Sequence, residues 1–314
     1  MSTQGIEQPH VQQPPGRKAP GSRRKPTDAS PLTPYIFMAP YLVLFLIFIV
    51  IPGVFGIWIS LHNWDYLLPG KPWVGLENYT NLFSSNSTTG GPFWNSMEAT
   101  GKFTLYSVPL LVVIPLLVAL ILNQKIRGIQ FFRAMYFAPF VLGVAVIGIL
   151  WRYLLDPNVG LVNYYLGAKI PWITALPWAW VSLVGVTVWW TLGFNTVIYL
   201  AGLQDIDPAL YDAAKVDGAN SWQQFLNVTM PGLRPILLFV VTVTILASAN
   251  VFGQPYIITQ GAPGEETTVA IMYIAETGLR QFNMGAASAM SYVLALALIL
   301  VSIVNFVVFR NRGD

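Results

Sequence analysis

The chain has 314 residues, of which 54% are hydrophobic and 10% are charged, and its mean hydropathy is +0.56. This composition predicts a membrane protein rather than a soluble pair of domains. The absence of cysteine excludes disulfides, thiolate metal sites and a cysteine nucleophile, and only two histidines are present, which argues against a histidine metal cluster or a serine–histidine triad. The net charge of +3 says little about partners, because the basic residues are unevenly placed.

The first 34 residues carry seven prolines and five Lys or Arg residues, which predicts a disordered basic cytoplasmic tail. Membrane orientation explains this basic cluster better than nucleic-acid binding does, and no nucleic-acid partner is expected. Residues 35–61 then form a charge-free run of 27 residues. The run is too long for the core of a signal peptide and long enough for a spanning helix.

Five further apolar segments are long enough to cross a bilayer, at 103–122, 134–151, 178–202, 235–257 and 286–309. The segments between them are predicted as loops, at 62–97, 152–177 and 258–285, and 267–280 has room for a short amphipathic helix. Glu98 and Lys102, four residues apart at the second span, are expected to pair. The expected fold is an all-α membrane protein with six transmembrane helices, in which a transmembrane domain fills 35–314 with its core at about 98–310.

Lysine and arginine are distributed unequally between the two sides of such a bundle. Twelve of the 17 lie in the N-terminal tail, 123–133, 204–234 and the C-terminal tail, against four on the other side and Lys102 at a boundary. The positive-inside rule therefore places both termini and the segment 204–234 in the cytoplasm.

The segment 204–231, between the fourth and fifth spans, is polar and holds four of the 14 acidic residues. The Asp-Pro pair at 207–208 is a favourable helix start, Gly218 can supply a left-handed stop, and residues 221–224 have the capping-box pattern with Ser221 as N-cap. The Pro-Gly pair at 231–232 is predicted to end the second helix. The expected cytoplasmic hairpin exposes apolar residues that would suit a partner, namely Leu210, Val216, Trp222, Phe225 and Leu226.

The hairpin also carries a spaced pattern: Asp212-Ala213-Ala214, three residues, Gly218, nine residues, and Val228-Thr229-Met230-Pro231. This pattern resembles the EAA loop of ABC importer permeases. Residues 212–219 with Phe225 and 231–235 look like the carbohydrate-importer branch, and the segments 74–79 and 151–163 are similar to the same family. Asp212 stands where glutamate is usual, which keeps the charge on a side chain one methylene shorter.

The resemblance implies that the hairpin is a coupling element that docks on a cytoplasmic ATPase. ATP-driven closure of an ATPase dimer would move the fourth and fifth spans between inward-open and outward-open states. The coupling residues expected from the resemblance are Asp212, Ala213, Ala214, Asp217, Gly218, Trp222, Phe225 and Pro231. Asp212 would bond at that contact, stabilise only its own helix, or do both.

The same resemblance implies the partners: a second similar permease, two ATPase subunits that bind ATP and Mg, and an extracytoplasmic solute-binding protein facing 62–97 and 258–285. The membrane would be a plasma or inner membrane. The chain has no Walker motif and no carboxylate well inside a span, which favours an energy source outside the subunit. No cofactor, metal or catalytic residue is expected in this chain, so it would not be an enzyme.

Uncharged hydrogen-bonding groups beside aromatic rings in the fourth and fifth spans suit a neutral polyhydroxyl ligand, which predicts a sugar. In the sugar permeases that the chain resembles, these two spans line the transport cavity. The residues expected to line the pathway here are therefore Trp190, Phe194, Asn195, Ser248, Asn250 and Gln254. Each also has a structural interpretation, because Trp can lie in an interfacial belt and Asn or Ser can bridge helices. The alternatives are an amino sugar, a glycerol-phosphate derivative, or an ion-coupled secondary transporter that works alone.

Overall fold

The structure is a computed structural model that describes residues 32–84, 87–124 and 127–310. In this part of the chain the regular elements are helices, and the extended pairings are two isolated bridges, His62 with Trp73 and Asp65 with Asn283. The predicted all-α fold is confirmed. The tail predicted at 1–34 lies outside the described residues except for its last three.

Five continuous helices are long and apolar enough to cross a membrane, and a bent helix pair makes a sixth when it is counted as one span. We number them spans 1 to 6 in chain order: Thr33–Ser60, Gly90–Leu122, the pair Ile129–Val141 and Val144–Leu154, Trp178–Asp205, Ser221–Ala249 and Met284–Arg310. The shorter helices are Glu77–Phe83, Leu161–Leu166, Pro208–Val216 and Ala270–Ala275. Turns of π-helix occupy Leu46–Val50, Phe225–Thr229, Pro255–Thr259 and Glu276–Arg280.

Span 3 differs from the single helix predicted at 134–151, because its two halves meet at an angle of 95°. Leu142 and Gly143 at the break have extended backbone, with ψ angles of 137° and 149°. The indole Nε1 of Trp190 donates a hydrogen bond to the carbonyl oxygen of Leu142 at 3.0 Å. This bond satisfies a backbone acceptor that the break frees, as an irregular segment within a membrane bundle requires.

Span 5 covers Ser221–Ala249 and not 235–257 as predicted. Pro231 does not end the second helix of the hairpin. A π-helical turn at Phe225–Thr229 comes directly before it, and this change of hydrogen-bond register accommodates a residue that has no backbone N–H. The second helix of the hairpin and span 5 are therefore one helix of 29 residues.

Three smaller features outside the spans also bear on the predictions. Two predicted loops contain helices that were missed, Glu77–Phe83 within 62–97 and Leu161–Leu166 within 152–177. Span 2 begins at Gly90, before the predicted residue 103, and the short helix for which 267–280 has room is present at Ala270–Ala275. The predicted pair is confirmed, with Lys102 Nζ at 2.9 Å from a Glu98 oxygen and 3.6 Å from one of Glu266.

Spans 2, 4 and 5 pack against one another, and the first half of span 3 lies against span 4. Two glycines of span 4 permit close approach. A Cβ at Gly193 would lie 2.5 Å from the carbonyl oxygen of Tyr136, and one at Gly202 would collide with Ile236. Small residues at helix contacts allow backbones to approach in this way, and here they fix where spans 3 and 5 meet span 4.

Candidate functional site

The first helix of the hairpin, Pro208–Val216, begins and ends as its sequence predicts. Oδ1 of Asp207 accepts a hydrogen bond from the backbone N–H of Ala209 at 2.8 Å. Gly218 follows the helix with a φ of +78°, in the left-handed region where glycine avoids a steric penalty. Local capping therefore explains where this helix begins and ends.

The second helix of the hairpin is capped one residue earlier than predicted. Asn220, not Ser221, is the N-cap, because its extended backbone and short carboxamide satisfy the orphan N–H of Gln223 at 2.9 Å. Oε1 of Gln223 accepts from the backbone N–H of Asn220 at 2.8 Å, which completes the capping box. The predicted capping box is therefore present, but it is formed by Asn220 and Gln223, one residue before the predicted Ser221 and Gln224.

The hairpin presents an apolar and acidic surface. Val216 is 88% exposed and Trp222 is 65% exposed, and the Trp222 ring stacks on Phe225 with centroids 5.4 Å apart. Of the eight predicted coupling residues, six are exposed, namely Asp212, Ala213, Asp217, Gly218, Trp222 and Pro231, and two are half-buried, namely Ala214 and Phe225. A partner could reach most of this set without a change in the hairpin.

Asp212 pairs with Lys215 across one helical turn, with 2.9 Å between its Oδ1 and the lysine Nζ. Both side chains are mostly exposed, so this pair contributes little to folding stability. The Tyr211 hydroxyl and the Thr229 hydroxyl lie 2.9 Å apart and tie the two helices of the hairpin together. The role predicted for Asp212 at a partner contact stays a prediction.

A cavity of about 460 Å³ lies in the bundle between spans 2, 4 and 5 and the break in span 3. All six residues predicted for the substrate pathway line it, namely Trp190, Phe194, Asn195, Ser248, Asn250 and Gln254. The other lining residues are Phe103, Leu111, Phe140, Val144, Thr187, Thr191, Val243, Thr244, Ala247, Val251, Phe252 and Gly253. No lining residue in the described part of the chain carries a charge, so hydroxyls, amides and aromatic rings determine what it can bind.

Asn195 connects span 4 to span 2 at the cavity wall. Its side chain is buried, and its Nδ2 donates to the carbonyl oxygen of Leu111 at 2.9 Å. That carbonyl is available because Pro115, four residues later, has no backbone N–H to donate to it. Asn195 therefore has a clear structural task in this conformation, whether or not it also touches solute.

Ser248, Asn250 and Gln254 differ in how they are engaged. The Ser248 hydroxyl accepts a hydrogen bond from that of Ser107 at 3.1 Å. Nδ2 of Asn250 donates to the carbonyl oxygen of Leu246, one turn earlier, at 2.8 Å, and its side chain makes no other hydrogen bond with the described residues. Gln254 is 6% exposed. Its side chain makes no hydrogen bond with any residue that the structure describes. Asn250 and Gln254 therefore keep the most hydrogen-bonding capacity for a ligand.

Aromatic rings form one wall of the cavity. Phe140, just before the break in span 3, stacks on Phe194 with centroids 5.1 Å apart and lies 6.2 Å from Trp190. Sequence reasoning missed Phe140 because it treated span 3 as a straight helix outside the site. Pro139 and Gly143 on either side were the signal that this segment could break and turn toward the cavity.

Two similar proteins are permeases of sugar transport systems. The trehalose/maltose transport system permease protein MalF of Thermococcus litoralis is 32% identical over 286 residues, which cover 89% of this chain and 94% of that protein. The arabinooligosaccharides transport system permease protein AraP of Bacillus subtilis is 31% identical over 291 residues, covering 89% and 90%.

The fold is also similar to that of a solved structure, a bacterial ABC transporter involved in the import of the acidic polysaccharide alginate. The TM-score is 0.76 at 23% identity, over 89% of this chain and 96% of that chain. The family described as "Binding-protein-dependent transport system inner membrane component" matches residues 102–311. The chain therefore belongs to this family of ABC importer permeases, which are multi-pass membrane proteins.

Proposed function

We propose that this chain forms half of the translocation pathway of an ATP-driven importer for a neutral mono- or oligosaccharide and works by alternating access. The observation that supports the solute class is the cavity of about 460 Å³, whose described lining offers amides, hydroxyls and rings but no charge. Rings can cover the apolar face of a sugar while amides address its hydroxyls. The similarity to permeases of trehalose/maltose and arabinooligosaccharide systems supports the same class.

An amino sugar or a glycerol-phosphate derivative is the alternative within this class of transporter. A phosphate would favour a basic group in the cavity, and the described lining supplies none. The neutral sugar is therefore the preferred solute. An ion-coupled transporter is the more distant alternative.

The cavity and the hairpin both support proposals about the partners of this chain. We propose that a second, similar permease closes the open side of the cavity and that an ATPase dimer, which binds ATP and Mg, seats the hairpin at 204–231. A binding protein would deliver solute to the side opposite the hairpin; one structure with a similar fold is an alginate ABC transporter in complex with its periplasmic protein. Both termini and the hairpin would be cytoplasmic, and this chain would hold no cofactor and catalyse no reaction.

The test is uptake of labelled sugars into proteoliposomes that contain the assembled complex and its binding protein. Uptake should require ATP inside the vesicle, where the ATPase of the importing complexes lies, and should be absent when this chain is reconstituted alone. Solute movement by the isolated chain, driven by an ion gradient, would contradict the proposal. Uptake of charged but not neutral sugars by the complex would contradict the solute class alone.

The coupling role of Asp212 can be tested by charge. Asp212→Lys should abolish uptake and sugar-stimulated ATPase activity, whereas Asp212→Glu should keep both, because it restores the usual residue and its charge. The exposed pair with Lys215 contributes under about 1 kcal/mol, so neither change should unfold the subunit. Normal uptake in Asp212→Lys would show that this carboxylate acts only within its own helix.

A further inference from the structure

The turn between spans 2 and 3 carries positive charge that no carboxylate in the described part of the chain compensates. Span 2 ends at Leu122 and span 3 begins at Ile129, with the exposed Arg127 between them and Arg133 one turn into span 3. The sequence contains no aspartate or glutamate from residue 99 to residue 155. In the part of the chain that the structure describes, no carboxylate lies within ion-pairing distance of either arginine. A negatively charged group other than the described carboxylates is therefore the natural counterpart.

The guanidinium of Arg133 is held in position by one hydrogen bond, and others of its N–H donors have no acceptor among the described residues. Its Nη2 donates to the carbonyl oxygen of Leu122 at 3.0 Å, one of the acceptors left open where span 2 ends. Its Nε is shielded from solvent and has no acceptor among the residues described. A guanidinium has five N–H donors, so this one can hold the end of span 2 and still bind an oxyanion.

Two phenylalanines, Phe131 and Phe132, directly precede Arg133 in the sequence. Phe131 is 70% exposed and Phe132 is 43% exposed, and their rings meet edge to face with centroids 5.9 Å apart. Basic residues combined with exposed phenylalanines are typical of segments that lie at the boundary between acyl chains and headgroups. An acidic protein surface would also attract the arginines, but two exposed phenylalanines beside them favour a lipid.

We propose that Arg127 and Arg133, with the rings of Phe131 and Phe132 beside them, bind the phosphate of an anionic phospholipid. The guanidinium groups donate to the phosphodiester oxygens, and the rings lie against the upper acyl chain. Lys125 adds a third positive charge in the sequence but lies outside the described residues. The proposal does not depend on the transported solute or on which side of the membrane the turn faces.

The test measures lipid binding to the purified, assembled complex by native mass spectrometry during titration with phosphatidylglycerol or phosphatidylcholine. Arg127→Gln should weaken phosphatidylglycerol binding about fivefold and leave phosphatidylcholine binding unchanged, because one basic residue near a membrane surface contributes about that factor. Arg127→Lys should keep most of the affinity. Arg127 makes no side-chain hydrogen bond with the described residues, so its variants should fold even if those of Arg133 do not.

The matched control is Lys169→Gln, which removes one exposed positive charge from the loop between spans 3 and 4 and should change neither affinity. Equal phosphatidylglycerol affinities in wild type and Arg127→Gln would overturn the proposal. Displacement of the lipid by an excess of inorganic phosphate would assign the site to a free anion instead. Loss of the ATPase subunits from the Arg127→Gln complex, with lipid binding intact, would assign the turn to a protein contact and equally overturn it.

Discussion

The hairpin and the cavity are held by contacts of very different range along the chain. In the hairpin, the caps at Asp207 and Asn220 join residues two or three positions apart. At the cavity, Asn195 reaches Leu111 and Ser107 reaches Ser248, across 84 and 141 positions. A site built from local bonds can present the same surface in every state of the protein, whereas one built from distant bonds changes whenever the spans move.

This difference assigns separate tasks to the two regions. The hairpin keeps its shape and exposes residues such as Val216 and Trp222, which suits an element that must transmit movement from a partner. The cavity is lined by three spans and a broken helix, which suits a site whose opening depends on their relative position. Substitutions should accordingly separate into those that change coupling and those that change the bundle.

The largest effect is expected at the turn of the hairpin. Gly218→Trp should abolish uptake, because it places a large side chain on the surface that we propose docks with the ATPase. The substitution should also lower the stability of the fold by about 1–2 kcal/mol, because the backbone at residue 218 has a left-handed conformation with a φ of +78°. Uptake into proteoliposomes and the melting temperature of the complex are the measurements.

Gly167 provides the matched control, since its φ is +62° and, as at Gly218, an added Cβ would meet no atom within 4 Å. Gly167→Trp carries the same backbone strain in the loop between spans 3 and 4 and should keep most of the uptake. If both variants lost uptake equally, backbone strain rather than docking would explain the result. The Gly218→Trp result would then give no support for a coupling role of the hairpin.

The next effect is expected at the bridge between spans 2 and 4. Asn195→Ala leaves the buried carbonyl of Leu111 without its donor and should cost about 1–3 kcal/mol of stability. Adding Pro115→Ala should recover part of this loss, because an alanine at 115 supplies a backbone N–H to the same carbonyl. Thermal unfolding of the single and double variants tests this, and additive losses would show that the bond is not the cause.

A smaller effect on stability but a clear one on transport is expected at Asn250. This side chain is exposed to the cavity, and among the described residues it bonds only to the carbonyl oxygen of Leu246, one turn earlier. Asn250→Ala should therefore change stability by less than about 0.5 kcal/mol. Loss of one hydrogen bond to a sugar should raise the half-saturating sugar concentration about fivefold. An unchanged uptake curve would remove Asn250 from the pathway.

The smallest effect is expected at a local cap outside both regions. The backbone N–H groups of Val159 and Asn158 donate to Oδ1 of Asp156 and hold the pKa of its carboxyl below its usual value. A lowered pKa stabilises the fold at neutral pH, and this stabilisation is lost as the pH falls through the folded pKa. Asp156→Asn should therefore lower the melting temperature slightly at pH 7 and less at acidic pH. An equal or larger loss at acidic pH would contradict this origin.

Many helices of this fold can be predicted from the sequence, because they depend on residues that are close together in the chain. Charge-free runs gave all six candidate spans, and the capping residues gave the first helix of the hairpin with its turn at Gly218. The break in span 3 was not predictable from hydropathy, because residues 134–151 remain apolar throughout and the break depends on Trp190, a distant donor, for its stability. Likewise, the cap at Asn220 competes with Ser221, and both are good N-caps, so sequence alone cannot choose between them.

Prediction of the candidate pathway was also limited by contacts between distant residues. Residue type and position within spans 4 and 5 were enough to name six side chains that the structure gathers around one cavity. They could not distinguish Asn195, which is engaged with Leu111, from Gln254, whose amide has no partner in the described part of the chain. That distinction depends on Pro115 in another span, which no local pattern connects to residue 195.

Because Ser221–Ala249 is one continuous helix, the number of residues in it matters as much as their identity. At about 1.5 Å per residue, these 29 residues, with the π-helical turn at Phe225–Thr229 among them, form a continuous helix of roughly 44 Å from the hairpin to the cavity. Each residue advances the helix by about 100°, so one inserted or deleted residue would turn Ser248 well away from Ser107 while leaving the hairpin intact. The number of residues between the pattern at 212–231 and the cavity therefore fixes the direction in which the cavity side chains point. Only insertions or deletions that add or remove whole helical turns should be tolerated.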